Sequence, residues 1–362
     1  MFLTASTVKD SAENVAFFVA ANLASGVDHM FVFLDDPDDT EQREVADALD
    51  ENPHVTCLRT DTAGWWGGKR PAGLNVRQRT NANWARAVLE PFEWAEWLFH
   101  IDGDEVARLD RRALAAVPAS QDAVWLPPFE AVSVWDAGRP TLFKRLLRDG
   151  ELNLLRVLGT IEEPTNQHYF HGHVMGKSGV RPGSGLGLTL HDAVSQDGRK
   201  QERHEDPRLG VLHYDAPSGE EFVRKWTALA HAGPARYRAS RAPSAQALRS
   251  LVTDDLPDDV RERYLRRIYE QTTADDVETL ADLGFLLEID PLEAPAQPRS
   301  LDDAQREALA GRVSELADRP KGSFFIDDPA KGKAKGKKGA APGGSQRKPG
   351  RREQLKRLAR RG

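Results

Sequence analysis

Strand-like and helix-like stretches alternate through the first hundred residues, and that alternation constrains the fold more than any other feature of the chain. Phe2-Leu3-Thr4-Ala5-Ser6 is short, apolar and rich in β-formers, which predicts a first strand. Asp10 and Ser11 are good N-caps for a helix over residues 12–24, and Gly26 is a natural stop. His29-Met30-Phe31-Val32-Phe33-Leu34 reads as a buried second strand that ends abruptly at Asp35-Asp36-Pro37. A short helix over 41–49, a third strand over 55–58 and a helix over 76–92 follow. Trp97-Leu98-Phe99-His100-Ile101 is a fourth strand, and it runs straight into Asp102. Strands separated by helices predict a mostly parallel sheet covered on both faces.

Chemistry in such sheets gathers at the carboxyl ends of the strands, where chain direction leaves a crevice. Both acidic clusters, Asp35-Asp36 and Asp102-Gly103-Asp104-Glu105, fall at such ends. Further along, strands are expected near 123–126 and 174–180, helices from 218 to 286 and one more surface helix over 302–317. Ser218-Gly219-Glu220-Glu221 resembles a capping box. From Lys331 onward the Gly/Lys/Ala/Pro composition does not support a core, and disorder is expected there. The predicted organisation is a catalytic domain over 1–230, a helical C-terminal extension over 231–328 and a basic tail over 329–362.

The tail conceals itself in a net charge of -6: it holds thirteen Lys/Arg and one acidic residue, so the body is strongly acidic. Cations at that density bind polyanions in a salt-dependent way. The tail has no aromatic residue to stack on bases, so an anionic membrane, a polymer or a protein partner is expected rather than a specific nucleic acid. An ordinary solvated tail is the alternative. No basic segment followed by a long apolar core opens the sequence, and no run approaches the ~20 apolar residues of a spanning helix. The expectation is a cytoplasmic protein, peripheral at the membrane if the tail engages lipid. A single cysteine, Cys57, excludes an internal disulfide and is expected as a buried thiol.

Asp102 and Asp104 at a strand end repel each other unless a cation lies between them. Oxygen ligands of this kind suit Mg²⁺ or Mn²⁺ rather than zinc, and a diphosphate supplies further oxygens. Unit charges ~4 Å apart interact by ~4 kcal/mol at an effective dielectric near 20, so a divalent ion offsets much of the charge on a departing nucleotide diphosphate. The alternative is a pair of acids that cap a turn.

Several segments in order carry a family resemblance: Thr7-Val8-Lys9-Asp10-Ser11-Ala12-Glu13, Gly26-Val27-Asp28-His29, the strand ending in Asp102-Gly103-Asp104-Glu105, Gly176-Lys177-Ser178-Gly179-Val180-Arg181-Pro182, and Leu212-His213-Tyr214 before Ser218-Gly219-Glu220-Glu221-Phe222. Together they resemble family 2 and family 92-like glycosyltransferases with the GT-A fold, over roughly residues 1–230. The resemblance implies a metal-dependent glycosyltransferase that moves a sugar from a nucleotide-diphosphate-sugar donor, UDP-sugars foremost, to a glycan, lipid or protein. It implies that Asp102 and Asp104 hold Mn²⁺ or Mg²⁺ and contact the donor, with His213 as third ligand; an ordinary half-buried histidine is the alternative. It further implies that Asp35 or Asp36 recognises the nucleotide, although an Asx turn before Pro37 explains them equally.

An inverting transferase needs a base for the acceptor hydroxyl, and Asp192 falls at a suitable distance beyond the metal motif, with Glu205-Asp206 as competitor. Lys177 and Arg181 are expected to share a strand face and reach a diphosphate or acceptor. Gln78, Asn81 and Asn83 are amides suited to sugars and bases, and Trp65 or Trp66 would close over the donor or else pack. A metallohydrolase is the rival class: His168, His171 and His173 cluster in sequence, and imidazoles at that spacing can bind zinc.

Overall fold

A computed structural model describes residues 1–231, 242–293 and 295–327. The basic tail over 329–362 therefore lies outside the described residues, as does part of the predicted C-terminal extension. The chain begins β1 (Phe2–Val8), α1 (Ala12–Ala24), β2 (His29–Leu34), α2 (Thr40–Asp50), β3 (Val55–Arg59), α3 (Leu74–Leu89) and β4 (Trp97–His100). It continues through β5 (Glu105–Arg108), α4 (Arg111–Ala115), β6 (Ala123–Leu126), β7 (Pro128–Ala131), β8 (Leu142–Lys144), α5 (Asp149–Leu158) and α6 (Asn166–Tyr169). Then come β9 (Lys177–Val180), β10 (Gly187–Leu188), β11 (Ala193–Val194) and β12 (Gly210–His213). The last described part holds α7 (Gly219–His231), α8 (Ala242–Thr253), α9 (Asp258–Thr272), α10 (Val277–Asp282), β13 (Leu286–Glu288) and α11 (Asp303–Ala317).

The fold is mixed α/β. Its main sheet has the order β3-β2-β1-β4-β9-β6, with β3, β2, β1 and β4 parallel and β9 antiparallel to both β4 and β6. Along β2, Met30, Val32 and Leu34 join the core beneath α1 and α2, while Phe31 and Phe33 join the core beneath α3 and α11. Two buried faces explain why this strand reads as a continuous apolar run rather than an alternating one. Each fully buried large side chain contributes about 1.5–3 kcal/mol. Ser11 caps α1 as expected, its side chain accepting from the Asn14 amide.

The Phe99 ring lies over Gly179 across the β4–β9 pair, and a Cβ there would overlap it. The close approach requires glycine there. Cys57 sits in β3 and is only partly buried; burial still pushes its thiol up to about 12.

A second sheet, not expected from the sequence, has the order β13-β8-β7-β12-β5. β12 runs antiparallel to β5 and parallel to β7, and the two registers set His213 against Glu105 on one side and Glu130 on the other. The segment after residue 231 is not helical throughout, since β13 forms an edge of this sheet. α11 packs on the main sheet's core, where the Trp84 indole donates to the Leu316 carbonyl at 3.1 Å. Among the described residues no helix is long and apolar enough to cross a membrane.

Candidate functional site

The turn from β4 into β5 carries Asp102, Gly103, Asp104 and Glu105 across the junction of the two sheets. Gly103 rests on the Val8 side chain at the carboxyl end of β1. Asp102 is closed from two sides: Gln78 Nε2 donates to Oδ1 at 2.7 Å, and Lys177 Nζ lies 2.6 Å from Oδ2. Lys177 also lies 3.2 Å from Glu105 Oε2, which accepts from the Asp102 backbone amide at 2.6 Å. Burial alone would lower the Lys177 pKa, but Asp102 and Glu105 outweigh it and raise it. Glu105 is likewise held well below the usual carboxylate range, because Lys177 and His173 outweigh its burial.

Asp104 takes the other direction. Its Oδ2 lies 3.6 Å from His213 Nε2 and 3.9 Å from Lys225 Nζ, and Lys225 also holds Asp215. His213 is pushed up to about 9: burial opposes its charge, and Asp104 and Asp215 outweigh burial. The same contacts hold Asp104 below the usual carboxylate range against the effect of burial. Two groups here could hold a metal ion, with ligand atoms within 4.8 Å of one another: Asp104, His213 and Asp215, and Glu105, His173 and His213. Asp102 belongs to neither among the described residues. The three expected ligands are thus split, with Asp104 and His213 together and Asp102 neutralised by a lysine.

The residues fit a divalent ion on grounds other than spacing. The Nδ1 atoms of His173 and His213 are buried without a hydrogen-bond partner, and their rings stack at 4.9 Å between centroids and 27° between planes. Imidazoles that give up their protons to an ion, together with carboxylate oxygens, form a donor set suited to divalent ions of the transition series.

The remaining candidates are distributed as follows. Asp35 receives a bidentate pair from Arg77, both bonds 2.6 Å, and a third contact from Arg70 at 3.1 Å. Asp36 is half exposed and pairs with Lys9 at 2.6 Å. Lys177 and Arg181 do not converge. The register sets Val180 against Leu98 and Gly179 against Phe99, so Lys177 reaches the carboxyl end of β4, whereas Arg181 lies over the Trp97 ring at its start. Asp192 pairs with Lys200 at 2.6 Å, and its neighbour His191 packs edge-on against His173 at 4.6 Å. Asp206 is occupied by Arg208.

Asn81 donates to Thr7 Oγ1 and accepts from the Trp65 indole, and Asn83 donates to the Leu188 carbonyl. Trp65 packs on Phe33 and Trp84, and Trp66 is buried. The three clustered histidines part company: His168 contacts Glu163 and Thr165, His171 pairs with Asp275 at 3.1 Å, and His173 meets Glu105 at 2.9 Å. No metal-capable group joins them among the described residues.

Several residues of the site were not assigned from sequence. Asp215 follows His213 by two, a spacing that puts alternate residues of a strand on one face. Glu105 adjoins the acidic motif. Glu130 had no visible signal, since it lies in the unforeseen second sheet. It accepts from the His171 amide at 2.7 Å and pairs with buried Lys144 at 2.9 Å, which in turn meets Asp275 at 2.9 Å.

No family model and no curated protein matches the chain. Among solved structures it is similar to HddC from Yersinia pseudotuberculosis, at 12% identity over 62% of this chain and 97% of that one, with a TM-score of 0.30. It is also similar to the inositol-1-phosphate CTP transferase from T. maritima, at 9% identity over 70% and 97% of the two chains, with a TM-score of 0.26. Scores of this size carry no inference about activity.

Proposed function

We propose that the chain is a metal-dependent glycosyltransferase of GT-A type, acting on a nucleotide-diphosphate-sugar donor, with UDP-sugars the first to test. The observation that carries the reading is the pairing of Asp104, at the carboxyl end of the parallel strands, with His213 at 3.6 Å. A mostly parallel sheet that delivers an acidic turn to its carboxyl edge supports it. So does the resemblance of the motifs around Asp104, Lys177 and His213. The acceptor class stays a glycan, lipid or protein.

In this reading Asp104 and His213 hold Mn²⁺ or Mg²⁺, with Asp215 within reach. A bound ion would supply Lewis-acid stabilisation to the leaving diphosphate. Lys177 fixes the orientation of Asp102, and Gln78 restrains the other oxygen, leaving Asp102 to accept from donor hydroxyls. The buried Arg77–Asp35 pair shapes the wall between β2 and α3. For the acceptor proton the reading assigns Asp192, which must part from the half-exposed Lys200 to take it.

The test is release of nucleotide from a panel of UDP- and GDP-sugars with Mn²⁺, Mg²⁺ or chelator. Metal-dependent release by the wild type and at least hundredfold less by Asp104→Ala is expected. Equal turnover in the two proteins would overturn the assignment.

A further inference from the structure

Resting on the metal site of that reading, we propose that His213 is shared by two neighbouring positions for the ion, and that Glu105 and His173 form the second one with it. The site then has two imidazoles and favours transition-metal ions over Mg²⁺ and Ca²⁺. Two groups meet at His213, at the end of β12: Glu105 at the entry to β5 and His173 in the loop before β9 form one with it, and Asp104 and Asp215 form the other.

The spacings suit coordination. Metal–nitrogen and metal–oxygen bonds of about 2.0–2.2 Å place neighbouring ligand atoms about 3–3.5 Å apart. Glu105 Oε1 and His173 Nε2 are 2.9 Å apart, just under that spacing. The stacked His173 and His213 rings bring a His213 nitrogen into the same group.

The two oxygens of Glu105 have separate tasks. Oε2 takes Lys177 and the Asp102 amide, whereas Oε1 faces His173. The ion therefore faces the side of Glu105 away from the lysine.

A carboxylate stands behind one of the two rings, beyond hydrogen-bond distance in this structure. A metal-bound imidazole ordinarily donates its other N–H to a carboxylate or carbonyl. Glu130 Oε2 lies 4.0 Å from His213 Nδ1, and Glu130 is fixed by Lys144 and by the His171 amide. A Cβ at Gly172 would strike both His213 and Glu130, so glycine is what lets the loop bring His173 over this pair. Imidazole nitrogen suits Zn²⁺, Co²⁺ and Mn²⁺ better than the hard cations Mg²⁺ and Ca²⁺, which keep oxygen shells.

The probe is the metal alone: Co²⁺ and Mg²⁺ titrated into the wild type and His173→Ala, followed by calorimetry and by the visible absorption of cobalt. The expected result is one Co²⁺ per wild-type chain, bound at least tenfold tighter than Mg²⁺. His173→Ala should weaken Co²⁺ at least tenfold and shift its visible bands, with Mg²⁺ little changed. Equal Co²⁺ affinity and spectra in wild type and His173→Ala would overturn the proposal. Should His173→Ala fail to fold, the wild type still decides: no preference for Co²⁺ over Mg²⁺, or a spectrum of purely oxygen ligation, overturns it. Metal-dependent UDP binding that survives in His173→Ala with unchanged Co²⁺ affinity sinks this coordination and leaves the transferase reading standing. Co²⁺ binding that His173→Ala abolishes, in a protein that binds no nucleotide, does the reverse.

Discussion

Lys177 Nζ lies 2.6 Å from Asp102 Oδ2, so the charge that balances the first acid of the motif comes from the neighbouring antiparallel strand. The same ammonium reaches Glu105 Oε2 at 3.2 Å, and both Lys177 and Glu105 are fully buried. Removing the cation strands a buried carboxylate, and breaking such pairs costs about 3–5 kcal/mol. Lys177→Met is therefore expected to lose about that much in urea unfolding at pH 7. A loss below 1 kcal/mol would mean that solvent screens the pair.

Asp35 and Arg77 make the second prediction. Their bidentate pair is nearly buried, with side-chain exposures of 10% and 8%. Asp35→Asn leaves Arg77 without its carboxylate and should also cost about 3–5 kcal/mol in chemical denaturation. A variant of unchanged stability but weakened nucleotide binding would return Asp35 to the recognition role expected from its sequence position.

His29 gives the pH dependence. Burial pushes its pKa down to about 4 from the ordinary 6.5, while its Nε2 stays 2.8 Å from Thr56 Oγ1. The unfolded chain takes up a proton on this ring well before the folded protein does. Its contribution is fully present above pH 6.5 and is lost as the pH falls through 4. The gap is worth about 3 kcal/mol over that window. Unfolding free energies at pH 7 and 4.5 should fall steeply for the wild type and about 2 kcal/mol less for His29→Gln. His191, also held down to about 4, accounts for part of the remaining slope. Identical slopes in the two proteins would contradict this account.

Gly179→Ala is the packing test. The added methyl meets the Phe99 ring across the β4–β9 pair, and neither strand has room to part without disturbing the core on β4. Overpacking of this kind costs about 1–3 kcal/mol. A drop in melting temperature is expected, with weaker metal binding because β9 also carries Lys177. An unchanged melting temperature would show that the strands yield freely.

The main sheet was legible because each of its central strands buries both faces and α1 announces its ends. The predicted helix over 12–24 and strand over 29–34 match α1 and β2, and the strand over 123–126 matches β6. The strand expected over 174–180 begins only at Lys177, because Gly176 takes a left-handed φ of 65°. The second sheet was not legible. Its strands are three or four residues long and bury Glu105, Glu130 and Lys144, so no apolar alternation marks them. That is also why Glu130 and its pairing with Lys144 escaped notice. Asp104 and His213 could be named in advance because one ends a readable strand and the other belongs to a motif. What sequence could not tell was that Asp102 would be satisfied by Lys177, a contact set by strand register.

The central claim rests on Asp104, and the most direct measurement is calorimetric titration of UDP and GDP into the wild type and Asp104→Ala, with and without Mn²⁺. The account predicts nucleotide binding that requires the metal and is lost in the variant. A wild type that binds neither nucleotide with Mn²⁺ present, or a variant that binds as well as the wild type, would contradict it.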